Sequence, residues 1–279
     1  MIIDFHTHTT ASDGTLTPGQ LVDEIKNHTI KYFSITDHDT IDGLKAVQHI
    51  PKGTTFITGV EISAEFPKTL HILGYGFDPL HSELNDSLNQ LQTFRKNRNA
   101  KMLQKMENLG FTITMEELIK EAGSDLVGRP HFANLFLRKG YVNSYQEAFD
   151  KYLKKGAPLY MNKKRFEPDK AIELIHKAGG IAVMAHPYQT KLEGAALENL
   201  VKELVSYGLD GIEVFYSQHT PEQVRQYKDF AAKYGLIATA GSDFHGANKP
   251  DIPLGMSVPE EEIADFLTYV REKASDFCG

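Results

Sequence analysis

The sequence predicts an α/β barrel of about seven strands, interrupted by a helical insertion. Three observations predict it. Strand-like and helix-like runs alternate over residues 1–80 and again after about Leu159, which favours parallel strands joined by crossover helices. No convincing strand run occurs from about Ser82 to Lys155. The apolar strand runs repeatedly end on His, Asp or Glu, as a site built at the converging strand ends of a barrel requires. The expected boundaries are 1–80 and 160–279 for the barrel and 81–159 for a helical insertion or cap.

The first strand is read at Ile2-Ile3-Asp4-Phe5-His6-Thr7-His8. Thr17-Pro18 starts a helix, with Thr17 as its N-cap and Leu21, Val22 and Ile25 at helical spacing. A second strand runs to Asp37-His38. Asp42-Gly43 opens a short helix, Thr55 to Glu61 is the third strand, and Leu70 to Tyr75 is the fourth. In the insertion, Leu84, Leu88, Leu91, Leu103 and Met106 suggest one long amphipathic helix. Thr114-Met115-Glu116-Glu117 and Ser144-Tyr145-Gln146-Glu147 read as capping boxes, giving three or four helices in all. Then come a helix over Pro168 to Ala178, ended by Gly179-Gly180, and a strand from Ile181 to His186. A helix containing Asn199 to Tyr207 and a strand over Gly211 to Phe215 follow. Thr220-Pro221 starts another helix, Leu236 to Asp243 is a strand, and Pro259 to Lys273 is a closing helix.

Composition narrows the function. The 279 residues carry a net charge of -7 and are 41% hydrophobic, ordinary for a globular enzyme. The pI of about 5.9 and the lack of a strongly basic domain argue against duplex DNA as partner. A small anion remains possible, because bound metal ions can reverse the local field. Cys278 is the one cysteine, so neither a disulfide framework nor a thiolate metal site can form within the chain. With no signal-peptide pattern and no run of ~18 apolar residues, the expectation is a cytoplasmic protein away from membranes. No obligatory protein partner is evident.

Each candidate is ambiguous alone. His6 and His8, two apart on a strand, would share a face, with Asp4 behind them as a hydrogen-bond partner; two exposed loop histidines would look the same. Asp13 reads as an ordinary Asp-Gly turn. His38 suits a ligand oriented by Asp37 or Asp39, or a helix N-cap cluster. Glu61 closes an apolar strand, where a carboxylate is costly to bury unpaired. His71 reads on its own as a satisfied core histidine. His186 ends a strand of small and apolar residues, and Asp243-Phe244-His245 repeats the two-residue spacing of the first strand. So many coincidences at strand ends make a metal site the better reading of the set.

These residues resemble the PHP family, named for polymerase and histidinol phosphatase. The likeness rests on His6-x-His8 with Asp13, Thr36-Asp37-His38, Glu61, His71, His186 and Asp243-x-His245, in that order along nearly the whole chain. The insertion carrying Gly128-Arg129-Pro130-His131 is similar to that of the TrpH-like branch, stand-alone phosphoesterases acting on nucleotides. The resemblance implies a distorted (β/α)7 TIM-like barrel with three divalent metal ions, manganese first and iron or zinc as alternatives. One ion would take His6, His8, Glu61 and Asp243; a second Glu61, His71 and His186; a third Asp13, His38 and His245. Arg129 and His131 would bind the substrate phosphate, with Ser63, His219 and Lys249 as weaker candidates.

The implied reaction is hydrolysis of a phosphoester by metal-activated hydroxide, with His131 or His219 protonating the leaving group. The expected substrate is small and phosphorylated. Removal of the 3′-phosphate from nucleoside 3′,5′-bisphosphates and 5′-to-3′ trimming of short RNA are the two expected activities. A histidinol-phosphate-type phosphatase, a non-catalytic metal-stabilised module and a metal-dependent amidohydrolase are alternatives. Arg95, Lys96, Arg98, Lys101 and Lys105 read as a solvated helix face or as a path for an oligonucleotide tail.

Overall fold

A computed structural model describes residues 1–122, 127–162 and 164–275; Cys278 lies outside them. The chain divides into two compact units, residues 1–88 with 165–279, and residues 89–164.

The first unit is a nearly closed barrel. Its leading elements are β1 (Ile2–Asp4), α1 (Pro18–Asn27), β2 (Tyr32–Ile35), α2 (Asp42–Lys45), β3 (Thr55–Ser63) and β4 (His71–Tyr75). The chain continues through α3 (Ser82–Asn108), α4 (Met115–Ala122), α5 (Arg129–Arg138) and α6 (Tyr145–Ala148). After these come α7 (Pro168–Lys177), β5 (Ile181–Met184), α8 (Gly194–Ser206), β6 (Gly211–Tyr216), α9 (Pro221–Tyr234), β7 (Ile237–Gly241), β8 (Met256–Ser257) and α10 (Ala264–Ser275). Local chemistry explains several boundaries. Thr17 and Gln20 form a reciprocal capping box ahead of Pro18, and Thr220 and Gln223 do the same ahead of Pro221. Gly235, at φ 65°, ends α9 in the left-handed conformation that suits glycine.

The strands lie in the order β7-β6-β5-β4-β3-β2-β1-β8. Two features differ from the sequence reading. First, β4 is antiparallel to both neighbours, pairing Glu61 with Leu73 and Ser63 with His71 across β3. The seven residues from Ala64 to Leu70 that join β3 to β4 are too few for a crossover, which takes a dozen or more. His71 therefore opens a strand running the opposite way, and reaches the C-terminal rim of the barrel for that reason. Second, there are eight strands among the described residues where about seven were expected; β8 is two residues long, antiparallel to β1, and has no apolar alternation to announce it.

Period-two alternation sorts the barrel into layers. Val60, Ile62, Ile72, Ala182, Met184, Ile212 and Val214 point outward into one core with α7, α8 and α9. Ile57, Leu73, Tyr75, Val183 and Ala240 point the other way and join Ile3, Phe5 and the α10 side chains Phe266, Leu267 and Val270. Glu61, His71 and Glu213 share strand parity with this second set, so the barrel interior is apolar at one level and polar at the next.

The barrel closes where the chain leaving β1 meets the end of β7. Phe5 N donates to Ala240 O at 3.3 Å, Asp243 N to His6 O at 2.8 Å, and His8 N to Phe244 O at 2.9 Å. Gly241 permits this approach, since a Cβ there would lie 2.2 Å from His6 Cβ and 2.7 Å from His6 N.

The second unit is helical and has its own core, with Met102, Met106, Leu118, Val127, Phe132, Leu135, Phe136, Leu153 and Leu159 fully buried. Thr114 and Glu117 form the expected capping box. Ser144 Oγ accepts from Glu147 N, but the Glu147 carboxylate accepts from Asn143 N instead of the cap residue. Arg98 is 8% exposed and donates to Asn99 Oδ1 and Val127 O, so the basic run on α3 is not one continuous solvated face. Among the described residues no helix is long and apolar enough to cross a membrane.

Gly241→Ala should destabilise the protein by about 1–3 kcal/mol, the usual cost of forcing extra atoms into a packed contact. Gly19→Ala, in α1 with nothing within 4 Å of the added Cβ, should be neutral or stabilising by up to about 1 kcal/mol. Urea unfolding of the two variants beside the parent compares them directly.

Candidate metal centre

Glu61 is buried at the end of β3 and five imidazoles surround its carboxylate. Oε1 lies 2.7 Å from His71 Nδ1 and 2.9 Å from His186 Nε2. Oε2 lies 2.8 Å from His38 Nδ1, 3.3 Å from His8 Nε2 and 3.4 Å from His6 Nε2. Asp243 Oδ1 lies 3.2 Å from His8 Nε2, 3.5 Å from His6 Nε2 and 3.4 Å from His245 Nδ1. Asp13, on the loop after β1, places Oδ1 3.2 Å from His245 Nε2 and Oδ2 3.7 Å from His38 Nε2. The nine side chains His6, His8, Asp13, His38, Glu61, His71, His186, Asp243 and His245 thus come together.

Three groups among them have ligand atoms mutually within 4.8 Å: His6, His8, Glu61 and Asp243; His8, Asp13, His38 and His245; and His38, Glu61 and His71. His6 Nε2, His8 Nε2, His38 Nδ1 and Glu61 Oε2 are buried with no partner in hydrogen-bonding geometry. Buried polar atoms are seldom left so, and four that converge on one space fit a cation. The donors are all nitrogen and oxygen, which suits manganese, iron or zinc.

The electrostatics agree. Burial opposes charge on Glu61, yet the imidazoles around it, His38 foremost, hold its carboxyl well below the usual range. Burial is likewise outweighed at Asp13 by His38 and His245, and at Asp243 by His6 and His245; both stay ionised. Burial would depress His8, but Asp243 and Glu61 raise it to about 9. His71 goes the other way, pushed down to about 4 by burial in spite of Glu61. Without metal, protons on His6 and His8 offset charge on the neighbouring carboxylates; a divalent cation would replace those protons.

The family model described as "PHP domain" matches residues 4–242. The chain belongs to the PHP domain family. It is 32% identical over 247 residues to a 3′,5′-nucleoside bisphosphate phosphatase of Chromobacterium violaceum, covering 87% of each chain. It is 34% identical over 251 residues to the 5′-3′ exoribonuclease Rnm of Escherichia coli K12, covering 88% of this chain and 85% of that one. A crystal structure from Bifidobacterium adolescentis, proposed to be a metal-dependent phosphoesterase, superposes with a TM-score of 0.79 at 27% identity, covering 96% and 95% of the two chains.

In this PHP domain several acidic residues hold the rim instead of facing the cluster. Strand β1 ends at Asp4, and Asp4 lies behind His6 by accepting from its backbone N–H at 3.3 Å, not from its ring. Asp4 accepts from Ser242 N, Ser242 Oγ and Gly255 N, and burial raises it to about 6 despite those bonds. Asp37, expected to orient His38, accepts from Thr9 N, Thr9 Oγ1 and Ser12 Oγ. Asp39 accepts from Ser63 N and Oγ. Ser63 is 2% exposed and takes part in this rim bonding, a poor position for a substrate contact. The rim is strained: His186 (φ 22°), Asp39 (φ 53°) and Asp243 (φ 62°) all have positive φ, at about 1–3 kcal/mol each.

His219 does not fit the proton donor expected of it. Its Nδ1 faces the Val214 carbonyl at 2.9 Å and must carry the hydrogen, leaving Nε2 as a bare lone pair. Burial pushes its pKa down to about 4, so there is no second proton to give near neutrality. His131 has the opposite tautomer. Its Nδ1 accepts from Gly128 N at 2.9 Å, so in the neutral ring Nε2 carries the hydrogen. Arg129 Nη1 donates to Leu153 O, and the guanidinium lies over the Tyr160 ring. Lys249 Nζ lies 2.6 Å from Asp243 Oδ2, which also accepts from Tyr216 OH at 2.8 Å.

Glu213 was missed from sequence. It is fully buried on β6, with Oε1 2.9 Å from His6 Nδ1 and Oε2 accepting from His186 N at 2.7 Å. Its signal was the one that exposed Glu61, a carboxylate inside an apolar strand run, here Gly211-Ile212-Glu213-Val214-Phe215.

In chelator, stability should fall as pH rises. The raised pKa of His8 stabilises the folded state fully below the ordinary 6.5, and that contribution is lost as pH climbs through about 9. Divalent metal should reverse the trend, because ligation requires deprotonated imidazole. Thermal unfolding across this pH span, with and without chelator, checks both signs.

Proposed function

We propose that this chain hydrolyses a phosphoester of a small nucleotide substrate. The reaction is removal of the 3′-phosphate from a nucleoside 3′,5′-bisphosphate, 5′-to-3′ trimming of short RNA, or both. The observation that carries this reading is the cluster of nine His, Asp and Glu ligands with four orphaned atoms aimed into it. The kinship with a bisphosphate phosphatase and an exoribonuclease supports the substrate class. The setting we propose is cytoplasmic.

Three divalent ions, manganese first, fit the ligand set. His6, His8, Glu61 and Asp243 would hold one; Glu61, His71 and His186 a second; Asp13, His38 and His245 a third. When bound, such ions supply Lewis acidity toward phosphoryl oxygens and lower the pKa of water. The chain's own groups do the rest. Glu61 faces His71 and His186 with Oε1 and His38, His8 and His6 with Oε2, and so would contribute a ligand to two of these positions. Arg129 presents a planar fork of N–H donors suited to a phosphate, offsetting charge that builds on it. His131, whose Nδ1 accepts from Gly128 N and whose hydrogen therefore sits on Nε2, is suited to donate a hydrogen bond to a phosphate oxygen but not to release that proton, so it is not the general acid.

Manganese-loaded protein should release phosphate from adenosine 3′,5′-bisphosphate, and chelator should stop it. Arg129→Ala should lower kcat/KM roughly 10²-fold or more, the scale of removing one donor to developing charge. His8→Ala should abolish turnover. Release from short RNA and none from the bisphosphate would assign the trimming activity instead. A protein that binds no divalent ion would sink the reading.

A further inference from the structure

We propose that Glu213 is a positioning residue that sets two metal ligands belonging to two different ion positions, so that both positions depend on one carboxylate. The inference rests on the metal-centre reading above and deepens it.

Glu213 is fully buried, and each of its oxygens has a separate task. Oε1 lies 2.9 Å from His6 Nδ1. A carboxylate oxygen only accepts, so Nδ1 must carry the ring hydrogen. That fixes the tautomer, leaving the lone pair on His6 Nε2. This is the atom that points between Glu61 Oε2 and Asp243 Oδ1, at 3.4 and 3.5 Å, with no hydrogen-bond partner of its own. Oε2 accepts from the His186 backbone N–H at 2.7 Å. His186 has φ 22° and ψ 68°, a conformation that side-chain-bearing residues rarely adopt. The bond from Glu213 holds its amide in that conformation, with the ring's Nε2 2.9 Å from Glu61 Oε1. One oxygen therefore works on a ring and the other on a backbone, and the two ligands meet opposite oxygens of Glu61.

An amide cannot do both tasks. In Glu213→Gln, an NH2 facing His6 Nδ1 makes that nitrogen an acceptor and moves the hydrogen to Nε2, removing the lone pair a metal needs. With the amide turned over, its NH2 faces the His186 N–H, donor against donor, and the strained backbone loses its hold. Either orientation spoils one ligand and spares the other, whereas Glu213→Ala removes both acceptors at once. The ligands Asp13, His38 and His245 make no hydrogen bond to Glu213 among the described residues.

The test is equilibrium dialysis of the 279-residue chain against manganese, comparing the parent with Glu213→Ala, Glu213→Gln, His6→Ala, His186→Ala and the His6/His186 double variant. Glu213→Ala should weaken two ions by at least about 10-fold, the usual effect of removing a group that orients a ligand, and retain the remaining one at parental affinity. Its stoichiometry should match the double variant, and that of Glu213→Gln should match one of the single variants. A Glu213→Ala that matches either single variant, or the parent, would overturn the proposal. Glu213→Asp, which keeps the charge but withdraws it by one methylene, is dialysed alongside and carries the same comparison if the Ala variant does not fold. Parental protein that binds no manganese would defeat the metal-centre reading itself, a result distinct from a parent that binds ions and a Glu213→Ala that binds them equally well.

Discussion

The carboxylate of Glu61 is the contact around which the barrel is organised. Five imidazoles approach its two oxygens, from the chain after β1, the loop after β2, the start of β4 and the end of β5. A charge so deeply buried would be costly if unpaired. The same burial makes each nearby imidazole count, because screening by water is absent. The surrounding architecture can be understood as the means of bringing those rings to one carboxylate. Short strands end level with one another, β4 turns back to present His71, and backbone strain at His186 and Asp243 aims side chains that relaxed strands would send elsewhere.

Much of this was legible in the sequence, for a physical reason. A histidine or acid closing an apolar strand stands where solvent begins, and several such positions in one chain are hard to attribute to chance. His6, His8, His38, Glu61, His186, Asp243 and His245 could be found in this way. His71 could be found only through family resemblance, since a histidine opening an antiparallel strand has the pattern of a core residue. Asp13 was hidden in an ordinary Asp-Gly turn. Fold class and helix starts were readable from alternation and from Thr-Pro caps. The direction of β4 was not, although the seven-residue connection before it excludes a crossover and would have given it away.

Hydrogen-bond partnership was the least legible feature. Asp4, Asp37 and Asp39 resemble ligands by type and place, yet their bonds run to backbone N–H groups and hydroxyls that shape the rim. Glu213 had the same pattern as Glu61 and does different work. Residue identity and periodicity report which face a side chain occupies. They do not report which donor it meets, because that depends on strands far away in the chain. The tautomers of His131 and His219 make the same point: each is decided by one backbone group, Gly128 N in the first case and Val214 O in the second.

The seam at Gly241 has a consequence for how the chain assembles. His71 and Glu61 are 10 residues apart and meet as soon as one hairpin forms. His6 and Glu213 are 207 apart, and Asp4 and Ser242 are 238 apart, so these contacts wait until the two ends of the barrel meet. Contacts that span so much chain carry the largest loop-closure cost and come late in topologically complex folds. A cation shared between Glu61 and Asp243 would bridge an early hairpin and the last strand to arrive. It would act as a clasp on the finished ring, and an incompletely folded chain would have little with which to hold it.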